Sequence, residues 1–297
     1  MTYEILNINA FHWLQEREPE SVQAVVTDPP YGVREYLPDE LHKQRIGYGG
    51  IWRIPNTIGG SKRLPSPRFS VINDDARLRE DLENFFRDLS KLLNKVLVPG
   101  GHVILASTPL LSDLVCKTFR DSGFEKRGEV VRVVKTLRGG DRPKNHEEEF
   151  SNVTVIPRGH WEPWLVFRKP ISEKTVAENL RKWSTGGLQR ISDEKPFSDL
   201  IISEKANSLE RSFHSHTSIK PQSFMRQIVK AALPLGQGLI LDPFSGSGST
   251  IAAAEYLGLS SIGLELDRIY YEESVNSIKI LSKLSEHEIK TLKPKKN

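Results

Sequence analysis

Cysteine is almost absent from this chain of 297 residues, with Cys116 the only one. A single thiol forms no internal disulfide and no cysteine-cluster metal site. The eight histidines show no His-Glu-x-x-His type spacing either, so the sequence suggests no metal chemistry. Long hydrophobic runs are missing too, and nothing approaches the roughly 20 apolar residues that cross a bilayer. The opening Met1-Thr2-Tyr3-Glu4-Ile5-Leu6 has neither the basic nor the apolar region of a secretory signal, so a cytoplasmic location with no membrane contact is expected. A large excess of one charge sign is missing as well: 42 Lys and Arg against 38 Asp and Glu leave +4. That mild excess is compatible with a polyanionic partner but does not require one.

What is present, 37% apolar and 27% charged residues, is ordinary for a globular chain, and the length suits one large catalytic domain with insertions. The hydrophobic pattern is α/β. Strands are expected at 3–8, 22–27, 102–107, 129–135, 164–168, 238–241 and 261–266. Helices are expected at 10–17, 78–97, 110–120, 222–233, 249–257 and 268–284, with a frayed lysine-rich tail from Lys290. Two stretches lose periodicity. Residues 33–70 collect Gly and Pro with Arg34, Lys43, Arg45, Arg53, Lys62, Arg63 and Arg68, and read as a mobile basic loop. Residues 170–215, with Arg181 and Lys182 among turn formers, read as a small separate lobe.

Two motifs carry chemistry. The apolar run ending at Thr27 stops at Asp28-Pro29-Pro30-Tyr31, and consecutive prolines cannot continue a ladder, so a loop must leave the strand end there. A base's exocyclic amine is a poor nucleophile because its lone pair is delocalised into the ring. A carboxylate from Asp28 and a carbonyl such as that of Pro29 can hold both amine hydrogens and localise that pair, while Tyr31 offers a ring for a flipped base. Read blandly, the four residues are merely a turn.

The second motif is Asp242-Pro243-Phe244-Ser245-Gly246-Ser247-Gly248-Ser249-Thr250, a strand running into a glycine turn and then a helix. Gly246 and Gly248 permit close backbone approach to a ligand. The third glycine of a dinucleotide fingerprint is replaced by Ile251, and the Gly-Lys-Ser/Thr of a phosphate loop is absent. About twenty residues on, Glu265 ends a strand where nucleoside-binding folds place an acid for the ribose hydroxyls.

These residues resemble the amino-methyltransferases of DNA that act on N6 of adenine or N4 of cytosine. Asp28-Pro29-Pro30-Tyr31 matches their catalytic motif and Asp242 to Gly248 their cofactor loop. His216-Thr217-Ser218-Ile219-Lys220-Pro221 looks like the segment that closes over the methionine part of the cofactor, with Lys220 toward its carboxylate. The catalytic motif precedes the cofactor loop, which is the β-class order.

The resemblance implies a Rossmann-like methyltransferase fold, a mostly parallel sheet with helices on both faces, and S-adenosylmethionine as cofactor. It places Asn9, Ala10 and Phe11 beside the cofactor adenine, with Pro243, Phe244, Ser245, Ser247 and Thr250 in the same site. Double-stranded DNA is the implied partner, contacted through Arg34, Lys43, Arg45, Lys62, Arg63, Arg68, Arg181 and Lys182. A homodimer and a companion restriction endonuclease stay open. Adenine N6 is the favoured target, with cytosine N4, an RNA or protein substrate, and a catalytically silent binding protein as the alternatives.

Overall fold

The computed structural model describes residues 3–30, 57–58, 61–62, 76–134, 142–143, 145–204, 206–212 and 219–291. It divides into two units, one of Met1–Pro29 with Phe85–Asn297 and one of Pro30–Asn84. In the smaller unit the described strands are β3 (Thr57–Ile58) and β4 (Ser61–Lys62), an antiparallel pair within the stretch expected to be a loop. Tyr31, Arg34, Lys43, Arg45, Arg63 and Arg68 lie outside the described residues.

The larger unit is built on an eight-stranded sheet in the order β1-β10-β9-β2-β5-β7-β6-β8. Its strands are β1 (Tyr3–Asn7), β2 (Val22–Thr27), β5 (Leu97–Ala106), β6 (Glu125–Val133), β7 (Trp161–Arg168), β8 (Leu200–Ile202), β9 (Leu239–Asp242) and β10 (Ser260–Glu265). From β1 to β5 all neighbours are parallel; β7 is antiparallel to β5 and to β6, and β8 runs parallel to β6. This is a mostly parallel, Rossmann-like sheet. Its central strands read as unbroken apolar runs because both faces are covered, and β5 is buried along its whole length.

Helices are α1 (Ala10–Glu16), α2 (Ala76–Val96), α3 (Ser112–Asp121), α4 (Val176–Trp183), α5 (Ser208–Ser212), α6 (Gln222–Ala232), α7 (Ser249–Tyr256), α8 (Arg268–Leu281) and α9 (Glu286–Thr291). In α2, Phe86, Leu89, Leu93 and Val96 recur at helical spacing and are fully buried. Helix α3 packs on β6 and β7, where Phe119 stacks on Phe167 at 4.5 Å. No helix among the described residues is long and apolar enough to cross a membrane.

Further expectations change. Strand β5 begins at Leu97 rather than 102, because Pro99-Gly100-Gly101 forms an irregularity inside the strand and not a stop before it: the pairing register with β2 shifts between Val22 and Ala24. Strand β6 starts at Glu125, earlier than its β-branched run suggested. Lys290 belongs to α9 rather than to a frayed tail. Residues 170–215 lie within the larger unit: β8 adds an edge strand to the sheet, and Asn179 of α4 donates to the carbonyls of Pro99 (3.0 Å) and Thr185 (2.8 Å). A three-residue strand is too short to show a period in sequence.

Candidate active site

All the parallel strands point their carboxyl ends the same way, so the loops after β1, β10, β9, β2 and β5 share one edge of the sheet. The chain leaves β9 toward β10 on one side and leaves β2 toward β5 on the other. The gap between the ends of β9 and β2 is therefore the topological switch point, where open α/β sheets bind ligands. Asp242 ends β9 and Asp28 follows β2, so the leading residues of both sequence motifs meet there. The Thr27 hydroxyl donates to Asp242 Oδ1 at 2.7 Å, a buried bond that ties the two motifs together.

The glycine loop is held from below and from its own backbone. Phe244 N–H donates to Asp242 Oδ1 (3.2 Å), Ser245 N–H to the Leu264 carbonyl (2.9 Å) and Gly248 N–H to the Ser245 carbonyl (2.7 Å). Gly246 and Gly248 adopt φ of 45° and 76°, the left-handed region where a side chain is strained. Gly248 caps α7, and Ser277 from α8 donates to the Ser247 carbonyl at 3.0 Å. Burial pushes the Asp242 carboxyl up to about 6, against the hydrogen bonds of Thr250 and Thr27 that favour its ionised form.

Glu265 lies at the end of β10 with both oxygens on backbone: Oε2 accepts from Gly246 N–H and Oε1 from Asp267 N–H, each at 2.8 Å. Burial raises its pKa, with those two bonds opposing. Asn9 caps α1, its Oδ1 accepting from Phe11 N–H (2.8 Å) and His12 N–H (3.3 Å), and Ala10 is buried behind it. Phe11 and Phe244 each approach Phe85 of α2, with ring centroids 5.3 and 5.8 Å apart. Sequence reasoning missed Phe85, because an aromatic on an amphipathic helix reads as core.

Lys220 has a partner that the sequence did not indicate. It is buried just before α6, and its ammonium donates to Asp28 Oδ2. Burial, the largest influence, lowers its pKa, but the carboxylates of Asp28 and Glu162 together leave it raised. Its backbone position is set by α6, whose first residue is pinned on two sides: Gln222 N–H donates to Glu210 Oε1 (2.7 Å) and Gln222 Nε2 to the Ser249 carbonyl (2.9 Å). His216, Thr217 and Ser218 lie outside the described residues.

Arg181 and Lys182 are not brought to this edge. Their helix α4 is bonded to Pro99 near the start of β5, whereas Asp28 follows the strand end that pairs near Leu105. Lys182 is in addition paired with Glu173 at 2.6 Å. A charge run in a polar segment reads alike on either edge of a sheet.

The family model for N6/N4 methyltransferases, described as DNA methylase, matches residues 22–276, which includes both motifs and the sheet between them. The chain belongs to this DNA methylase family. Its similarity to the type II methyltransferase M.HindIII of Haemophilus influenzae is 25% identity over 298 residues, covering 93% of this chain and 95% of that protein. Among solved structures, the M1.HpyAVI–SAM complex superposes with a TM-score of 0.54 at 14% identity, covering 93% and 99% of the two chains. PvuII DNA methyltransferase, described as cytosine-N4-specific, superposes with a TM-score of 0.61 at 13% identity over 97% and 90%. At such identities the two superpositions show a shared fold.

Proposed function

We propose that this DNA methylase transfers a methyl group from S-adenosylmethionine to the N6 amine of adenine within a short duplex sequence. The observation that carries the reading is the junction of the two motifs at the switch point, where Thr27 bonds Asp242 and Asp28 follows directly. S-adenosylmethionine, when bound, supplies an electrophilic methyl on a sulfonium.

The donor set fits that cofactor. Each oxygen of Glu265 uses one lone pair on a backbone N–H, so each keeps a second for a ribose hydroxyl. Phe11, Phe85 and Phe244 form an apolar wall suited to a purine face, beside Asn9 and Ala10. The loop of Pro243, Ser245, Gly246, Ser247 and Gly248, with Thr250 in the first turn of α7, gives backbone access at a helix N-terminus, favourable for the methionine carboxylate. Lys220 has three N–H donors, so a bond to Asp28 is compatible with one to that carboxylate.

Asp28 and the Pro29 carbonyl accept the amine hydrogens, localise the nitrogen lone pair and aim it at the methyl. Tyr31 stacks on the base once it has left the duplex. Arg34, Lys43, Arg45, Lys62, Arg63 and Arg68 supply phosphate contacts; Arg181 and Lys182, at the other edge of the sheet, do not. The type II relatives support a companion restriction endonuclease of the same specificity.

Adenine is favoured over cytosine because many N4-cytosine members have Ser where Asp28 stands. Both residues accept the required hydrogen bond, so the distinction is one of frequency. Nucleoside mass spectrometry of duplex DNA treated with the protein and cofactor tests it. N6-methyladenine is expected; N4-methylcytosine as the sole product overturns the base assignment and leaves the mechanism standing.

A further inference from the structure

The backbone ladder between β2 and β9 is short. Ala24 pairs with Ile240 and Val25 with Leu241; beyond that point Thr27 pairs with Leu105 of β5, and Asp242 pairs with Gly263 of β10. The ladder thus ends before either motif begins, which is the opening of the switch point. The bond from Thr27 Oγ1 to Asp242 Oδ1 spans that opening at 2.7 Å, the length of a hydroxyl donating to a carboxylate. Both side chains are buried, Thr27 completely. Ala24, Val25 and Val26 before it are apolar, and a valine has the same shape as threonine, so packing alone does not call for a hydroxyl at this place.

We infer that Thr27 is a positioning residue for methyl transfer: its bond to Asp242 fixes the start of the catalytic loop against the cofactor loop, and so sets how Asp28 stands toward the methyl donor. The inference rests on the reading of Asp28 as the group that receives the target amine. Consecutive Cα atoms are about 3.8 Å apart, so a shift at the end of β2 carries Asp28 with it. The Asp28 carboxylate is bonded to Lys220, but a lysine stem is flexible and follows the group it pairs with. Lys220 therefore orients the side chain, and Thr27 fixes the backbone beneath it. The cofactor loop has other supports. Gly246 N–H bonds Glu265 Oε2, Ser245 N–H bonds the Leu264 carbonyl, Ser277 Oγ bonds the Ser247 carbonyl, and Asp242 Oδ1 also accepts from Phe244 N–H. Removing the Thr27 hydroxyl leaves those bonds in place and releases what stands beside them.

The test is Thr27→Val, the same shape without the hydroxyl, set beside Thr27→Ser, which keeps the hydroxyl and loses the methyl. With unmethylated genomic DNA and labelled cofactor, Thr27→Val should lower kcat by about 10- to 100-fold, the scale of a displacement of about 1 Å. Its calorimetric Kd for S-adenosylmethionine should stay within about threefold of wild type, the signature of an interaction that acts on the transition state and not on cofactor binding. Thr27→Ser should recover most of the lost kcat.

A wild-type kcat in Thr27→Val would overturn the inference. So would a cofactor Kd weakened as much as kcat is lowered, because the bond would then serve the cofactor loop alone. Equal losses in Thr27→Val and Thr27→Ser would assign the effect to the methyl group and overturn it too. If Thr27→Val does not fold, Thr27→Cys keeps nearly the same volume with a weak donor: a lowered kcat at wild-type cofactor Kd supports the inference, and a wild-type kcat overturns it. Wild-type protein that binds the cofactor but methylates no DNA base fails earlier, and overturns the reading of Asp28 and the inference with it.

Discussion

In the proposed mechanism Asp28 carries two loads, one toward the substrate and one toward the protein. A carboxylate on a loop beyond a strand end would ordinarily be silent in stability, but Lys220 is buried against this one. Asp28→Ala should therefore abolish methyl transfer and also cost roughly 2 kcal/mol, below the 3–5 of a fully buried pair because the Asp28 side chain is 20% exposed. Turnover with labelled cofactor reads the first effect and denaturant unfolding the second; retained turnover would end the proposed mechanism. Glu265 differs, since its partners are backbone N–H groups that water can serve. Glu265→Ala should weaken S-adenosylmethionine by about 1.5–3 kcal/mol, the range for removing hydrogen bonds to a charged group. An unchanged calorimetric Kd would remove Glu265 from the site.

At the scale of elements, the same local rules explain what the sequence revealed and what it hid. The stop of β2 at Asp28-Pro29 was readable because proline forbids the ladder, and the strand, glycine turn and helix of β9 and α7 were readable because the pattern changes period there. Motifs that lie together in sequence thus pointed to the candidate site. The buried pair of Arg132 and Glu162 was not readable: the two are 30 residues apart, and each alone resembles a surface charge. Only the antiparallel pairing of β6 with β7 sets Arg132 opposite Glu162.

Gly248 shows the reverse case, a residue read in the sequence as permitting backbone approach to a ligand and also required by packing. A Cβ there would stand 2.5 Å from Ile278 Cγ1, and Ile278 is fully buried in α8. With the left-handed φ added, Gly248→Ala should destabilise the protein by about 2–4 kcal/mol, measured by denaturant unfolding. A loss under about 0.5 kcal/mol would mean that Ile278 moves aside without cost.

Over the whole molecule, the charge is unevenly spread along the chain. Residues 33–70 hold seven basic and three acidic side chains, a surplus equal to the +4 of the entire protein, so the remaining residues are balanced. Attraction to a polyanion is then concentrated in one stretch, and with helix α4, which carries Arg181 and Lys182, held to Pro99 near the start of β5 through Asn179, that stretch is the proposed source of phosphate contacts. Neutralising Lys62, Arg63 and Arg68 together should weaken binding to all duplexes alike, because phosphates carry no sequence. It should also flatten the slope of log affinity against log salt by up to about 0.9 for each phosphate no longer neutralised, nearly three in all. Titrations of a fluorescent duplex at several salt concentrations measure that slope. If it stays at the wild-type value while methylation continues, these three residues do not touch phosphate, and the basic surplus of the segment serves solubility or the chain's own acidic groups instead.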